Sequence, residues 1–441
     1  MTNLILIKKK IKPFKKKISV SGDKSISIRC VLLASQAIGR SKITNLLESE
    51  DVINALKAIK KLGINFKKVK NNYFINGLGL NGFKSNKNII INAGNSGTLA
   101  RLIIGLLVDY KHKVKIIGDK SLSRRDFSRV TEPLKTFGAN ISSRDGKLPV
   151  IISGSEFLRP INYVENIGSA QCKSSVIFAA LKTPGKTNIK AKKSRNHTEI
   201  LLKNLKLPIT ITTNKNYDLI CLNGQNNFDS FSYNVPGDIS SASFFLVLTI
   251  LATNSEIIIK NVNVNLSRFG IIKILNKMNC NIILKNKKKY KGETVADLYV
   301  KSVKNIKSIS CPANWNSSAI DEYLVIFLVA ARAKGISSFK KLSELNKKES
   351  PRLDIGLKFL NSIGVKTKRI GDNIKIYGNP NLKLENQYVI KDFMKDHRVF
   401  MMSCVAALTF GGKWKIYNKD SVNTSFPNFF KILKKIGAKL I

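Results

Sequence analysis

Acidic residues are scarce: 28 Asp and Glu stand against 76 Lys and Arg, a formal net charge of +48 over 441 residues. That imbalance points first to anionic partners, whether nucleic acid, an acidic membrane surface, or phosphorylated and carboxylated metabolites. Cysteine is sparse too. Cys30, Cys172, Cys221, Cys280, Cys311 and Cys404 are widely spaced and include no C-x-x-C, which excludes a zinc site and a dense disulfide framework and suggests buried thiols in a reducing compartment. No His/Cys/Asp cluster has ligand spacing, so neither a metal nor a cofactor is expected. Long apolar runs are missing: Phe244 to Ala252 and Tyr323 to Ala331 fall short of the roughly 18 residues of a spanning helix. The N-terminal Met-Thr-Asn-Leu-Ile-Leu-Ile has its apolar stretch before its lysines and is too short for a secretion signal. A soluble, cytoplasmic protein is the expectation.

What is present is a large core. With 43% hydrophobic and 8% aromatic residues, disorder is excluded, and the length predicts two to four domains. Most cations are Lys in short runs such as Lys8-Lys9-Lys10, Lys15-Lys16-Lys17 and Lys287-Lys288-Lys289, in a chain also rich in Ile and Asn. Such runs suit a solvated surface produced by compositional drift. The arginines sit instead beside small polar residues, where a planar guanidinium can bind phosphate or carboxylate bidentately.

One pattern recurs six times: a small polar cluster, then an apolar helix-like run, then Gly or a polar break. The copies start near Ser25, Ser96, Ala170, Ser240, Asp321 and Asp396, about 75 residues apart. A second, amphipathic segment follows, as in Asp51 to Ile59 before Gly63, Val130 to Phe137 before Gly138, and Leu353 to Ile363 before Gly364. β-branched runs such as Asn88 to Asn92 and Tyr217 to Leu222 then read as strands. The first helix of each unit is apolar nearly all round and should be buried; the second should lie outside. Two clusters of three units fit the length, with a seam near Val235-Pro236-Gly237-Asp238. If the polar clusters are helix N-termini, three positive dipole ends converge in each cluster, and two such faces would form an anion-binding cleft.

Cations and carboxylates concentrate in those polar clusters. Ser21-Gly-Asp-Lys-Ser-Ile-Ser-Ile-Arg29 puts Lys24, Ser25 and Arg29 at a helix start. Gly94-Asn-Ser-Gly-Thr-Leu-Ala-Arg101 offers backbone amides in a turn that an anion can approach closely. Gly118-Asp-Lys-Ser-Leu-Ser-Arg-Arg125 and Ser194-Arg-Asn-His197 repeat the theme, His197 reading as an ordinary satisfied side chain. The second half supplies Asp321, Glu349 and Asp396-His-Arg398. Asp321 reads equally as a helix cap and as a base.

Together these stretches resemble the 5-enolpyruvylshikimate-3-phosphate synthases (3-phosphoshikimate 1-carboxyvinyltransferases) across nearly the whole chain. The shared signatures include Gly22-Asp-Lys-Ser-Ile-Ser-x-Arg29, Gly94-Asn-Ser-Gly-Thr-x-x-Arg101, Ser169-Ala-Gln-x-Lys-Ser174, Val235-Pro-Gly-Asp-Ile-Ser-Ser-Ala242, Ile320-Asp-Glu-Tyr323, Lys348-Glu-Ser-x-Arg352 and Asp396-His-Arg398. The resemblance implies an α/β, two-domain inside-out barrel of six βαβαββ units: residues 23–236 form one domain, residues 1–22 plus 237–441 the other, and the substrates bind between them. It implies Lys24, Ser25, Arg29, Ser169, Ala170, Gln171, Asp321 and Lys348 as binders of shikimate 3-phosphate. Lys24, Gly97, Arg125, Gln171, Arg352 and Arg398 are implied for phosphoenolpyruvate, with Asp321, Glu349 and Lys24 as proton-transfer candidates. A monomer acting on these two small molecules, with no nucleic acid or membrane partner, is expected.

The chain departs from the family's pattern at Ile28 (usually His), Asp126 (often Pro), Asn196 (Asp), Pro351 (Asp) and Thr424 (Lys in one branch). Asp126, beside Arg125, would compete with phosphoenolpyruvate for that guanidinium. Two rivals are weaker. A UDP-N-acetylglucosamine enolpyruvyl transferase carries a Cys in the loop before its Arg, and Asp119 to Arg124 contains none. A nucleic-acid-binding protein would explain +48, but no recognition helix or stacking-aromatic motif is present.

Overall fold

The computed structural model describes residues 3–84 and 88–441; Met1 and Thr2 of the N-terminal stretch lie outside them. The described strands form six sheets. In one group of three, Ser232–Asn234, Ile38–Thr44, Asn72–Leu78 and Phe66–Val69 neighbour in that order; Ile89–Asn92, Val114–Ile117, Lys147–Ser153 and Asn140–Arg144 form the second sheet; Asn162–Glu165, Lys186–Lys192, Tyr217–Asn223 and Ile209–Thr213 the third. In the other group the sheets are Ile283–Tyr290, Glu293–Lys301, Glu256–Asn263 and Lys15–Ser19; Ser310–Cys311, Gly335–Phe339, Asn373–Gly378 and Thr367–Ile370; and the three-stranded Leu4–Ile7, Gly411–Tyr417 and Leu384–Ile390. Every sheet contains one parallel pair. Parallel strands need a crossover of a dozen or more residues, and in four of the six pairs an apolar helix supplies it.

Two of those parallel pairs are exchanged. Lys15–Ser19 leads into the helix Lys24–Gln36 yet pairs with Glu256–Asn263, whereas Ser232–Asn234 leads into the helix Ile239–Leu251 yet pairs with Ile38–Thr44. The chain accordingly divides into two compact units: residues 22–235 with 290–293, and residues 1–21, 236–289 and 294–441. This division places Gly22 with the first unit and Pro236 with the second. It also assigns the hairpin tip Tyr290–Glu293 to the first, a detail that no composition shift in the sequence marks.

The apolar helices are buried as their sequences require. Ile239–Leu251, Tyr323–Ala331 and His397–Phe410 have no exposed residue at all. The amphipathic helices put one face inward: in Glu50–Lys61, Val52, Ala55, Leu56 and Ile59 are buried, and Gly63 follows at φ +89°, where a side chain would be strained. Five of the six buried helices start with a side-chain cap: Asp23, Ser96, Ser169, Asp238 and Asp396 accept from Ile26, Leu99, Cys172, Ser240 and Arg398 backbone amides. Tyr323–Ala331 alone has no side-chain cap bond.

In the first unit the helices Gly97–Leu106 and Ala170–Lys182 approach so closely that a methyl on Gly105 would lie 2.2 Å from the Ser175 carbonyl oxygen. Ala would gain about 1 kcal/mol of helix propensity over Gly. Overpacking against backbone, which no rotamer change relieves, costs about 1–3 kcal/mol. Gly105→Ala is expected to lower the urea midpoint; an unchanged or raised midpoint would show that the two helices can part at little cost.

Candidate active site

In the unit of residues 22–235, nearly every residue of the three buried helices is inside. The exceptions are Lys24, Ser25, Ala170 and Gln171 at helix starts and Arg101, the fifth residue of its helix. Their side chains join the helix ends together. Arg29 Nε donates to Thr198 Oγ1 at 2.7 Å, one terminal nitrogen donates to Ser174 Oγ at 2.9 Å and the other to the Ser25 carbonyl at 2.9 Å. Arg101 donates to Gln171 Oε1 at 2.6 Å, and Gln171 Nε2 to Thr98 Oγ1 at 3.0 Å. Lys24 Nζ lies 2.8 Å from Asp51 Oδ2. Arg125 reaches Asn95 Oδ1 at 2.6 Å, while its buried Nε has no hydrogen-bond partner.

Two of these cations, Arg29 and Arg101, are short of counter-charge. Burial pulls Arg29 down to about 10; Glu199, Asp23 and Glu293 oppose that pull and Arg195 adds to it. Burial likewise lowers Arg101 to about 10, with Arg125 and Arg129 adding to the effect against Cys172 and Asp126. Both arginines remain protonated at neutral pH, and an anion placed beside them would recover solvation energy lost on burial. Gly97 opens the approach: a methyl there would sit 3.0 Å from an Arg125 nitrogen and 3.1 Å from an Arg101 nitrogen.

The competition expected from Asp126 does not arise. Its carboxylate accepts from the Ser128 amide at 2.8 Å and faces Arg129 Nε at 3.5 Å, and its carbonyl accepts from Arg101. The carboxylate acts as a local cap for the helix Ser128–Thr136, turned to the next cation along.

In the other unit, one guanidinium organises the cluster. Arg352, 1% exposed, meets Asp396 Oδ2 at 2.9 Å, Glu349 Oε2 at 2.5 Å and Asp321 Oδ1 at 3.3 Å. Arg398 donates to the Asp321 carbonyl at 2.9 Å and lies 3.8 Å from its Oδ2. Burial alone would depress Arg352, but Asp396, Glu349 and Asp321 overcome it and raise the pKa above the usual arginine value. Burial also disfavours the charge on Asp396, yet Arg352 and His397 hold its carboxyl below the usual range against Glu349. The N-cap residue of the helix Tyr323–Ala331 is Glu322, whose side chain makes no cap bond. The Asp321 carboxylate faces two arginines. Lys348 is half-buried at the end of the turn Ser343–Lys347.

The family described as EPSP synthase (3-phosphoshikimate 1-carboxyvinyltransferase) matches residues 8–433. The chain belongs to the EPSP synthase family. A 3-phosphoshikimate 1-carboxyvinyltransferase of Ruthia magnifica is 39% identical over 96% of this chain and 95% of its own. One of Legionella pneumophila is 37% identical over 97% and 96%. The EPSP synthase of Acinetobacter baumannii superposes with a TM-score of 0.87 at 31% identity, covering 100% of this chain and 99% of the other. The enolpyruvyl transferase NikO of Streptomyces tendae, at 13% identity and TM-score 0.77 with 99% and 98% coverage, shares the fold.

Set against the EPSP synthase signatures, the structure groups Lys24, Ser25, Arg29, Gly97, Arg125, Ser169, Ala170 and Gln171 in one unit, and Asp321, Lys348, Glu349, Arg352 and Arg398 in the other. Sequence reasoning left out Arg101, Asn95 and Asp51 as individual site residues. Arg101 and Asn95 were inside a quoted motif; Asp51 opens the second helix of its unit 27 residues after Lys24, and only contact reveals the pairing. The other departures are structural in their surroundings: Ile28 is buried, and Asn196 and Pro351 precede the helices His197–Asn204 and Arg352–Ser362. Among the described residues no group of three or more His, Cys, Asp or Glu is placed to hold a metal ion, and no helix is long and apolar enough to cross a membrane.

The Asp396–Arg352 pair carries a pH signature. A carboxyl whose folded pKa lies below its unfolded value of about 3.9 stabilises the fold above that value and stops doing so as the pH falls through the folded pKa. Arg352, raised in the fold, contributes fully at every pH below its unfolded value. Asp396→Asn should therefore lower unfolding free energy near pH 7 by about 3–5 kcal/mol, a penalty that shrinks below about pH 4 as the wild type loses the same charge. Urea melts at pH 7, 5 and 3 measure this, and a penalty constant across them would mean the ion pair is not its source.

Proposed function

We propose that the protein transfers the enolpyruvyl group of phosphoenolpyruvate to the 5-hydroxyl of shikimate 3-phosphate and releases phosphate, a step of the shikimate route to chorismate. Family membership supports the chemistry. The observation that carries it into this chain is the concentration of under-compensated arginines within the first two turns of buried helices. Two substrates bring two phosphates and two carboxylates, which repel strongly unless fixed cations surround them.

In this reading Lys24, Ser25, Arg29, Ser169, Ala170, Gln171, Asp321 and Lys348 bind shikimate 3-phosphate, with Arg29 positioned by Ser174 and Thr198. Gly97, Arg125, Gln171, Arg352 and Arg398 bind phosphoenolpyruvate, Lys24 touching both substrates. The 5-hydroxyl oxygen bonds to C2 of the enolpyruvyl group as its proton leaves and C3 gains one. The resulting tetrahedral ketal expels phosphate while C3 gives a proton back. Asp321 takes the hydroxyl proton, and Glu349 and Lys24 serve C3. Arg352 holds both carboxylates in the meantime, and a substrate carboxylate binding there competes with them for the guanidinium. We infer further that the enzyme works as a cytoplasmic monomer on these soluble metabolites, without metal, nucleic acid or membrane.

Mixing the purified protein with both substrates should release inorganic phosphate, each substrate alone should give none, and chelation should change nothing. Asp321→Ala should lower kcat by about 10²- to 10⁴-fold with the fold intact. A steep salt-dependent affinity for DNA without phosphate release would favour the nucleic-acid reading instead.

Gly97→Ala separates access from stability. Its methyl would press the ends of two flexible side chains, Arg125 and Arg101, and no backbone. The KM for phosphoenolpyruvate is expected to rise about tenfold, roughly 1.4 kcal/mol, more than that for shikimate 3-phosphate, with no change in melting temperature. Equal rises in both KM values would show that Gly97 limits general access.

A further inference from the structure

Arg268 belongs to none of the clusters assigned above, yet it is 2% exposed and charged. It ends the short turn Leu266–Arg268 and sends one terminal nitrogen to Ser240 Oγ at 2.6 Å and to Asp238 Oδ1 at 3.2 Å. The same nitrogen lies 3.9 Å from Glu322 Oε1, to which Ser240 Oγ also donates. Two residues on, Gly270 begins the helix Gly270–Lys277, and a methyl on it would meet Ser318 Oγ at 2.5 Å, the Ser318 carbonyl carbon at 2.7 Å and Ala319 Cβ at 2.8 Å. One short segment thus grips the chain on both sides of Asp321: Ser318 and Ala319 before it, Glu322 after it.

This grip matters because Glu322, the N-cap residue of the helix that follows Asp321, makes no side-chain cap bond there. Asp321 and Glu322 are adjacent but point to different partners, the first to Arg352 and Arg398, the second to Arg268 and Ser240. A rotation of the chain that satisfied one pair at the expense of the other would move the Asp321 carboxylate off its arginines.

We propose that Arg268 is a positioning residue for Asp321, acting through Ser240 and Glu322 and through the packing of Gly270 on Ser318 and Ala319. The consequence for catalysis rests on the proposed role of Asp321 as the group that takes the hydroxyl proton. A buried charge pair of this kind adds little net stability relative to apolar packing but fixes geometry, and a shift of about 1 Å at a reacting group can cost on the order of 10²-fold in rate.

Arg268→Lys keeps the charge and loses the planar fork; Glu322→Gln keeps an acceptor for Ser240 and serves if the first variant does not fold. In a crystal structure of the folded variant, the Asp321 carboxylate should have left the 3.3 Å contact with Arg352 for more than 4 Å. In solution kcat should fall by about tenfold or more with both KM values within about threefold, and pairing the variant with Asp321→Ala should lower kcat no further than Asp321→Ala alone. Asp321 found in place, an unchanged kcat, or losses that multiply in the double variant would each overturn the proposal. A wild-type protein that releases no phosphate would instead sink the reading of function, and the crystallographic comparison would still decide whether Arg268 holds Asp321.

Discussion

A helix that is apolar on every side can be placed only where nothing but its ends meets polar chemistry. In this protein six such helices share two cores, and their N-terminal turns gather the polar side chains that the rest of each helix excludes. The arrangement explains why Lys24, Ser25, Arg101, Ala170 and Gln171 are the residues of their three helices that escape burial. It also explains why the cross-links between helices are concentrated there: Arg29 to Ser174, Arg101 to Gln171, Arg398 to the Asp321 carbonyl, Arg352 to Asp396. The first turn of a helix carries unpaired amides and a partial positive charge, so the anion-directed character of these ends comes from the backbone as well as from the arginines.

The two units solve the electrostatic problem in opposite ways. The first leaves buried guanidiniums poorly compensated, so that burial depresses Arg29 and Arg101. The second surrounds Arg352 with three carboxylates and lifts its pKa. A cation lacking an anion is poised to take one from a ligand. Three carboxylates around one cation are poised to exchange one of their number or to move a proton.

Much of this could be read from residue order. The six apolar runs, their spacing and the small polar clusters before them required no tertiary information, because burial of an all-apolar helix is dictated locally. Family signatures then supplied Gly97, Arg125 and Arg398, which periodicity alone cannot distinguish from turn residues. What stayed hidden depends on contact between distant segments. Asp126 looked like a competitor for Arg125 because adjacency in sequence says nothing about which way a side chain turns, and the Ser128 amide and Arg129 claim it. Asp321 read equally as a cap and a base, and its arginine contacts to residues 352 and 398 were invisible in the order of residues. Arg268 carried no signal: its Ser240 and Glu322 partners lie 28 and 54 residues away, and only the assembled core brings them together.

The exchange of parallel strands has a consequence for how such a chain is made. Lys15 pairs with Glu256, and Leu4 with Tyr417. Ribosomes add about 5–20 residues per second, so the segment holding Lys15 waits roughly 12 to 50 seconds for its partner strand, and the segment holding Leu4 longer still. The unit of residues 22–235 can meanwhile assemble most of its three sheets from contiguous sequence. During that interval Ile5, Ile7, Ile11, Phe14 and Ile18, all buried in the finished protein, have no core to enter. The lysines interspersed among them, Lys8 to Lys10, Lys12 and Lys15 to Lys17, keep that waiting segment charged and discourage its pairing with other nascent chains.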